Sequence, residues 1–330
     1  MNRRDFLILT GALAGAACAA CRRSTGPQTI RVSAHPYFSM SGLYLAKELG
    51  YFEDAGLQVE IERIANSSQA IPLAVGGKLD VLFTGASAAL VNAIARGSRL
   101  RIIAGREFAA PGCSDLYVVY GRRSVFPGGL QDLKTLRGKR IAADRMLAVS
   151  HFGIDMVLAS AGLTTDELGV IQIGKAESVT ALLSGKVDAI IVSDFDRRFA
   201  GVKDQIVRGI SLADVLPNYQ ASYVVYGTRL LDGDPEIASN FLSAYLHGTR
   251  DYLGGQTPKF FDDLAISYGT DPAKARLECR ANIVPDGRID LPSLERFIGW
   301  AASRRLCQPV DAAKMVDLRF LEMQRRSSLS

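Results

Sequence analysis

The chain of 330 residues is poor in the residue types that most often build reactive centres. It carries three histidines, His35, His151 and His247, and they stand far apart. Of its five cysteines, Cys18 and Cys21 lie near the start, while Cys113, Cys279 and Cys307 are dispersed and form no CxxC pair among themselves. A zinc knuckle therefore has no ligand set, and at most one disulfide can form among the last three. No metal and no cofactor is expected. There is also no G-x-S-x-G nucleophile elbow, no Walker loop and no G-x-G-x-x-G. Charge of one sign is lacking, with 39 Lys and Arg against 34 Asp and Glu. No basic stripe is interleaved with aromatics, which argues against nucleic acid as a partner.

Long hydrophobic runs are scarce. The one that stands out follows Arg3 and Arg4 and ends near Ala20, short of the roughly 20 residues a membrane-spanning helix needs. A basic start, a Gly/Ala-rich run and small residues before a Cys are the arrangement of an export signal over residues 1–21. Arg3-Arg4-Asp5-Phe6-Leu7 resembles the twin-arginine motif of proteins exported already folded. Cys21 is the expected site of lipid attachment; Cys18, or a simple secretory cleavage near Ala17 to Ala20, is the alternative. Residues 22–28 then form a polar tether, and the mature chain works outside the cytoplasm as a monomer.

What is present is an ordinary globular composition, 48% hydrophobic and 22% charged, enough for one large or two medium domains. Strands are expected at 30–33, 57–64, 81–84 and 101–104, with helices at 41–50, 69–76 and 87–96 between them. After Tyr117 the alternation restarts, with strands at 140–143, 170–173 and 189–192 and helices at 150–161 and 177–184. Beyond Arg229 only helices follow, at 235–253, 259–267, 272–281, 291–304 and 310–322, and they are expected to cover the first sheet. Single helices between strands imply βαβ units and parallel sheets.

Two runs are written twice. Gly77-Lys-Leu-Asp-Val-Leu-Phe83 matches Gly185-Lys-Val-Asp-Ala-Ile-Ile191, each with a Gly suited to a helix end and an Asp heading an apolar strand. Tyr117-Val-Val-Tyr-Gly121 returns as Tyr223-Val-Val-Tyr-Gly227. The second Gly-Lys-x-Asp copy lies between the two Tyr-Val-Val-Tyr-Gly runs, so those runs bracket one complete α/β unit. The organisation expected is a first lobe from 29–116 and 229–330, a second lobe at 123–222 inserted into it, and paired hinge strands at 117–122 and 223–228.

The blocks GLYLAKELGYFEDAGLQVEI, LAVGGKLDVLFTGASAAL, LKTLRGKRIAADR and LLSGKVDAIIVSD resemble the ABC-transporter periplasmic solute-binding proteins of the sulfonate/nitrate/taurine and thiamine-pyrimidine-precursor family, over about residues 30–210. The resemblance implies an α/β fold of the two-lobe periplasmic binding protein type (type II). Such a protein closes on a small molecule and presents it to a permease and its ATPase. Val192-Ser-Asp-Phe-Asp196 departs from the Trp-Asp-Pro-like segment of many relatives. A small organic anion, sulfonate, nitrate or taurine-like, is the favoured guest. A pyrimidine precursor or other heterocycle is the alternative, and so is an enzyme of thiamine-pyrimidine synthesis on the same fold. The scarce histidines and dispersed cysteines favour a binder over an enzyme.

In parallel sheets ligands sit beyond the carboxyl ends of strands, where helix N-termini point. The corners of this kind nominate Ser39, Ser41, Asn66, Ser67, Gly85, Ser87 and Arg106 in the first lobe, and Ser150, His151 and Asp194 in the second. The serines also read as helix caps. Arg106 reads as counter-charge to an anion or as a surface ion pair with Glu107 or Asp115. Asp194 suits a cationic or hydroxyl group, and Tyr37, Phe38 and Phe152 would flank a flat heterocycle.

Overall fold

The apolar strand runs predict sheets covered on both faces, and two such sheets are present. The computed structural model describes residues 26–64, 67–111, 116–143, 148–192, 203–267, 271–278 and 281–327. The export segment with Cys18 and Cys21, together with Asn66, Cys113, Asp194 and Cys279, lies outside the described residues. In the first sheet the strand order is β2 (Leu57–Glu62), β1 (Gln28–Ser33), β3 (Val81–Gly85), β10 (Ser222–Tyr226), β4 (Arg101–Gly105). In the second it is β7 (Ile171–Gln172), β6 (Ile141–Ala143), β8 (Ala189–Val192), β5 (Val118–Arg122), β9 (Ile206–Arg208). The order is the same in both: a parallel trio, then one antiparallel strand, then an outer strand. This is the two-lobe α/β fold that the sequence predicts. The one strand that it leaves unpredicted outside the repeated runs is the short β9, whose three residues are too few to show an alternating pattern.

Helices cover these sheets: α1 (Ser41–Glu48), α2 (Ser67–Val75) and α3 (Ala88–Ala95) around the first, α4 (Val149–Ala159) and α5 (Lys175–Leu183) around the second, then α6 (Pro235–Gly254), α7 (Leu291–Ser303) and α8 (Arg319–Ser327). α6 lies on α1. Their axes approach closely because Gly42 and Gly248 face each other. A Cβ on Gly42 would stand 2.4 Å from Thr249 Oγ1, and one on Gly248 would stand 2.4 Å from Gly42 O. The helix expected at 310–322 is split instead. Asp311 caps a 3₁₀ turn at Ala312–Met315, Val316 pairs with Ile102, and Asp317 receives Arg319 N at 3.1 Å to start α8. Among the described residues no helix is long and apolar enough to cross a membrane.

The repeated Tyr-Val-Val-Tyr-Gly runs become β5 and β10, and they do not pair with each other. This corrects the expected hinge strands at 117–122 and 223–228. β10 is the antiparallel strand between β3 and β4, and β5 the antiparallel strand between β8 and β9. The ribbon that joins the sheets lies just ahead of each run. Arg106 N donates to Ser222 O at 2.9 Å, Ala221 N to Glu107 O at 2.8 Å, and Ala109 N to Tyr219 O at 2.8 Å. A strand entering a parallel sheet straight from a crossing must run against its neighbours, which is why both runs are antiparallel.

The two repeats meet in space. Asp80 accepts from Arg31 N at 2.8 Å and from Arg229 Nε and Nη2, both at 2.7 Å. Asp188 accepts from Arg140 N at 3.0 Å, Arg140 Nη2 at 2.7 Å and Arg122 Nη2 at 2.6 Å. Each Asp thus holds a backbone N–H of the neighbouring parallel strand, mid-strand at Arg31 and at the head of β6 at Arg140, and an Arg from the exit of the antiparallel one. Gly227 N bonds to Asp80 O, whereas Arg122 N bonds to Asp188 O, so the two copies occupy equivalent strands one residue out of step.

Candidate functional site

The carboxyl ends of β1, β3 and β4 and the start of β10 share one edge of the first sheet. The carboxyl end of β6 and the start of α4 occupy the matching edge of the second. The two edges touch: Val149 N donates to Ala86 O at 3.0 Å, and Ser87 forms a bridge with Ala148. A Cβ on Gly85 would stand 2.7 Å from Val149 Cγ1, so this position serves the close approach of the second lobe. Ser87 is buried and accepts Leu90 N at 3.2 Å as the N-cap of α3. Ser150 is buried in the first turn of α4, where Ala148 holds the cap position. Ser67 opens α2, with its side chain outside the described residues.

Arg106 is only 1% exposed, which excludes the surface ion pair. Its Nη2 donates to Ser39 O at 2.9 Å and lies 3.0 Å from Met40 Sδ, Nη1 reaches Ser222 Oγ at 3.4 Å, and the guanidinium lies 5.1 Å from the Phe83 ring centre. It therefore fastens the turn before α1 to β4 and β10. Among the described residues no carboxylate pairs with it, and its Nε has no partner. Ser41 was expected to cap α1; Met40 takes that place, and Ser41 Oγ is fully buried and also without a partner. A buried cation whose partners among the described residues are all neutral is in an environment that favours negative charge.

His151 departs from its expected place. It is 7% exposed, and its Nε2 lies 3.4 Å from Thr165 Oγ1 and 3.6 Å from Asp155 Oδ1, with its ring edge-on to Trp300 at 5.2 Å. It belongs to the seam between α4 and α7. Burial pushes its pKa below the usual imidazole value, against the opposing charge of Asp155. Phe38 packs on Phe261 at 4.7 Å, and Phe152 is buried among Tyr219, Phe297 and Trp300, so neither flanks a heterocycle. Ser222 and Trp300 were missed. The available signal for Trp300 was that the chain's single tryptophan stands on a helix with an apolar stripe. Cys307 is a free, partly buried thiol whose pKa burial raises.

The fold is that of known solute receptors. The aliphatic sulphonate binding protein SsuA of Escherichia coli superposes with a TM-score of 0.66 at 15% identity, over 88% of this chain and 98% of that one. The alkanesulfonate-binding SsuA of Xanthomonas axonopodis pv. citri, bound to MOPS, gives 0.66 at 17% identity over 89% and 100%. The nitrate-binding protein NrtA of Synechocystis PCC 6803 gives 0.66 at 13% identity over 92% and 89%. No curated protein matches the chain by sequence. A family model described as NMT1/THI5 like matches residues 37–256, both Gly-Lys-x-Asp units included, and the chain belongs to that family.

Proposed function

We propose that the chain is the extracytoplasmic solute-binding component of an ABC importer, and that it captures a small organic anion of the sulfonate, nitrate or taurine-like class by closing its two lobes. The observation that carries this reading is Arg106, a buried guanidinium with no carboxylate partner among the described residues, at the strand ends where the lobes meet. At about 6 Å and an effective dielectric near 20, one such charge favours an anion by roughly 3 kcal/mol. Ser39, Ser41, Gly85, Ser87 and Ser150 are the residues of these edges proposed to meet the guest; Asn66 and Asp194, outside the described residues, and Ser67 are proposed with them. The moving bodies are residues 29–105 with 223–330 and residues 110–217, with the ribbon of 106–109 and 218–222 as the hinge. A permease and ATPase read the closed form, and a lipid on Cys21 or a cleaved leader sets the attachment. A heterocycle as guest is less favoured because two of its three expected flanking aromatics, Phe38 and Phe152, are spent on packing, which leaves only Tyr37 of the three.

The test is a thermal-shift screen of the purified mature chain against alkanesulfonates, taurine, nitrate, pyrimidine precursors and aromatic acids. At a ligand concentration 100 times Kd the gain is about 2.7 kcal/mol. A shift with sulfonates or nitrate alone supports the reading. A shift confined to pyrimidines, or iron-dependent turnover of a pyrimidine precursor, overturns it.

A further inference from the structure

Two covalent crossings join the lobes, and α7 adds a third connection that is not covalent. It starts on the crossing ribbon, where Asp290 N donates to Gln220 Oε1 and Gln220 N to Ser293 Oγ, both at 2.9 Å. Just past its end Leu306 O accepts from Asn92 Nδ2 of α3 at 2.9 Å, which ties it to the first lobe. Between these anchors it grips the second lobe. Trp300 Nε1 donates to Asp155 Oδ2 at 2.8 Å, Arg304 Nη2 lies 2.5 Å from the same oxygen, and Thr165 Oγ1 donates to Asp155 Oδ1 at 3.1 Å. Asp155 is 5% exposed. A carboxylate so buried is tolerated only while its donors stay in place. The contact therefore has two settings: all donors engaged, or the carboxylate released to water.

Asp155 shares a helix with the cleft contact. Val149 meets Ala86 at the first turn of α4, and Asp155 follows six residues on, about 9 Å along the axis. A helix of this length moves as a rod, so drawing Val149 away from Ala86 also drags Asp155 against Trp300 and Arg304.

We propose that α7 is a strut between the lobes and that Asp155, held by Trp300 and Arg304, is the latch that limits how far they swing apart. Ligand entry and release then require the latch to open. The inference concerns the motion on which the binding reading relies, but its test uses no ligand and stands or falls separately.

Trp300 is the only tryptophan, so intrinsic fluorescence reports the latch directly. The full mature chain, ligand-free, is compared with Asp155→Asn and Arg304→Gln by acrylamide quenching and small-angle X-ray scattering. Removing the charge pair is expected to shift the ratio of latched to released molecules by roughly tenfold, about 1.4 kcal/mol, seen as stronger quenching of Trp300 and a larger radius of gyration in both variants. Unchanged quenching and radius in the variants overturn the proposal, as does wild-type emission quenched as freely as an indole in water. If Asp155→Asn fails to fold, Arg304→Gln decides alone, because that side chain is 27% exposed and its loss leaves the core intact.

Discussion

Asp188→Asn is the perturbation that most directly tests the account of the two repeats. The carboxylate is 12% exposed and accepts four hydrogen bonds, from Arg140 N and Nε at 3.0 Å each, Arg140 Nη2 at 2.7 Å and Arg122 Nη2 at 2.6 Å. An amide keeps one acceptor and turns an NH₂ toward donors. Charge-assisted bonds contribute about 1.5–3 kcal/mol each when desolvated. Arg140 is 56% exposed and Arg122 23% exposed, so water compensates part of the loss. The net cost is about 2–3 kcal/mol, a drop of roughly 5–10 °C in Tm for a body of this size. Hydrogen bonds from Arg140, opposed by partial burial, hold the Asp188 pKa well below the usual carboxylate range. The sign follows: the stabilisation is complete above the unfolded-state value of about 3.9 and is lost as pH falls below it toward the folded-state value. Calorimetric or urea unfolding at several pH values measures this. The difference between wild type and variant should be constant from pH 5 to 8 and shrink below about pH 4. A variant within about 0.5 kcal/mol of wild type at pH 7, or a difference that persists undiminished at pH 3, refutes the reasoning.

Two further substitutions probe the site. Gly85→Ala sets a Cβ against Val149 Cγ1, and should weaken ligand affinity by roughly tenfold through hindered closure, with Val149→Ala restoring it; isothermal titration with a ligand from the screen reads both. Arg106→Ala should cost about 2–4 kcal/mol in urea unfolding because it empties a filled, buried volume, whereas Arg106→Met, which refills that volume but gives up the hydrogen bonds to Ser39 O and Ser222 Oγ, should cost less, about 1–2 kcal/mol. Both should lose anion affinity, and an Arg106→Met variant that binds normally removes the guanidinium from the site.

Most strand and helix positions and the role of the Gly-Lys-x-Asp runs were legible because each is a local pattern. Gly77 and Gly185 do take the left-handed conformation, at φ 71° and 78°, and Asp80 and Asp188 do head their strands. The partners of those patterns were not legible. Periodicity says that a residue is buried, and nothing about what buries it. The Tyr-Val-Val-Tyr-Gly runs looked like partners of each other, yet sheet order places each beside a Gly-Lys-x-Asp strand. His151 looked like a cleft residue by its place at a helix start, yet its side chain turns to Trp300, half the chain away in sequence. The local sequence determined which segments fold into strands and helices and which charged residues must find partners indoors. Only the tertiary structure decided that Arg106 would be sealed without a counter-charge among the described residues and that α7 would reach across to Asp155, because both depend on contacts between segments that meet only once the two sheets are assembled.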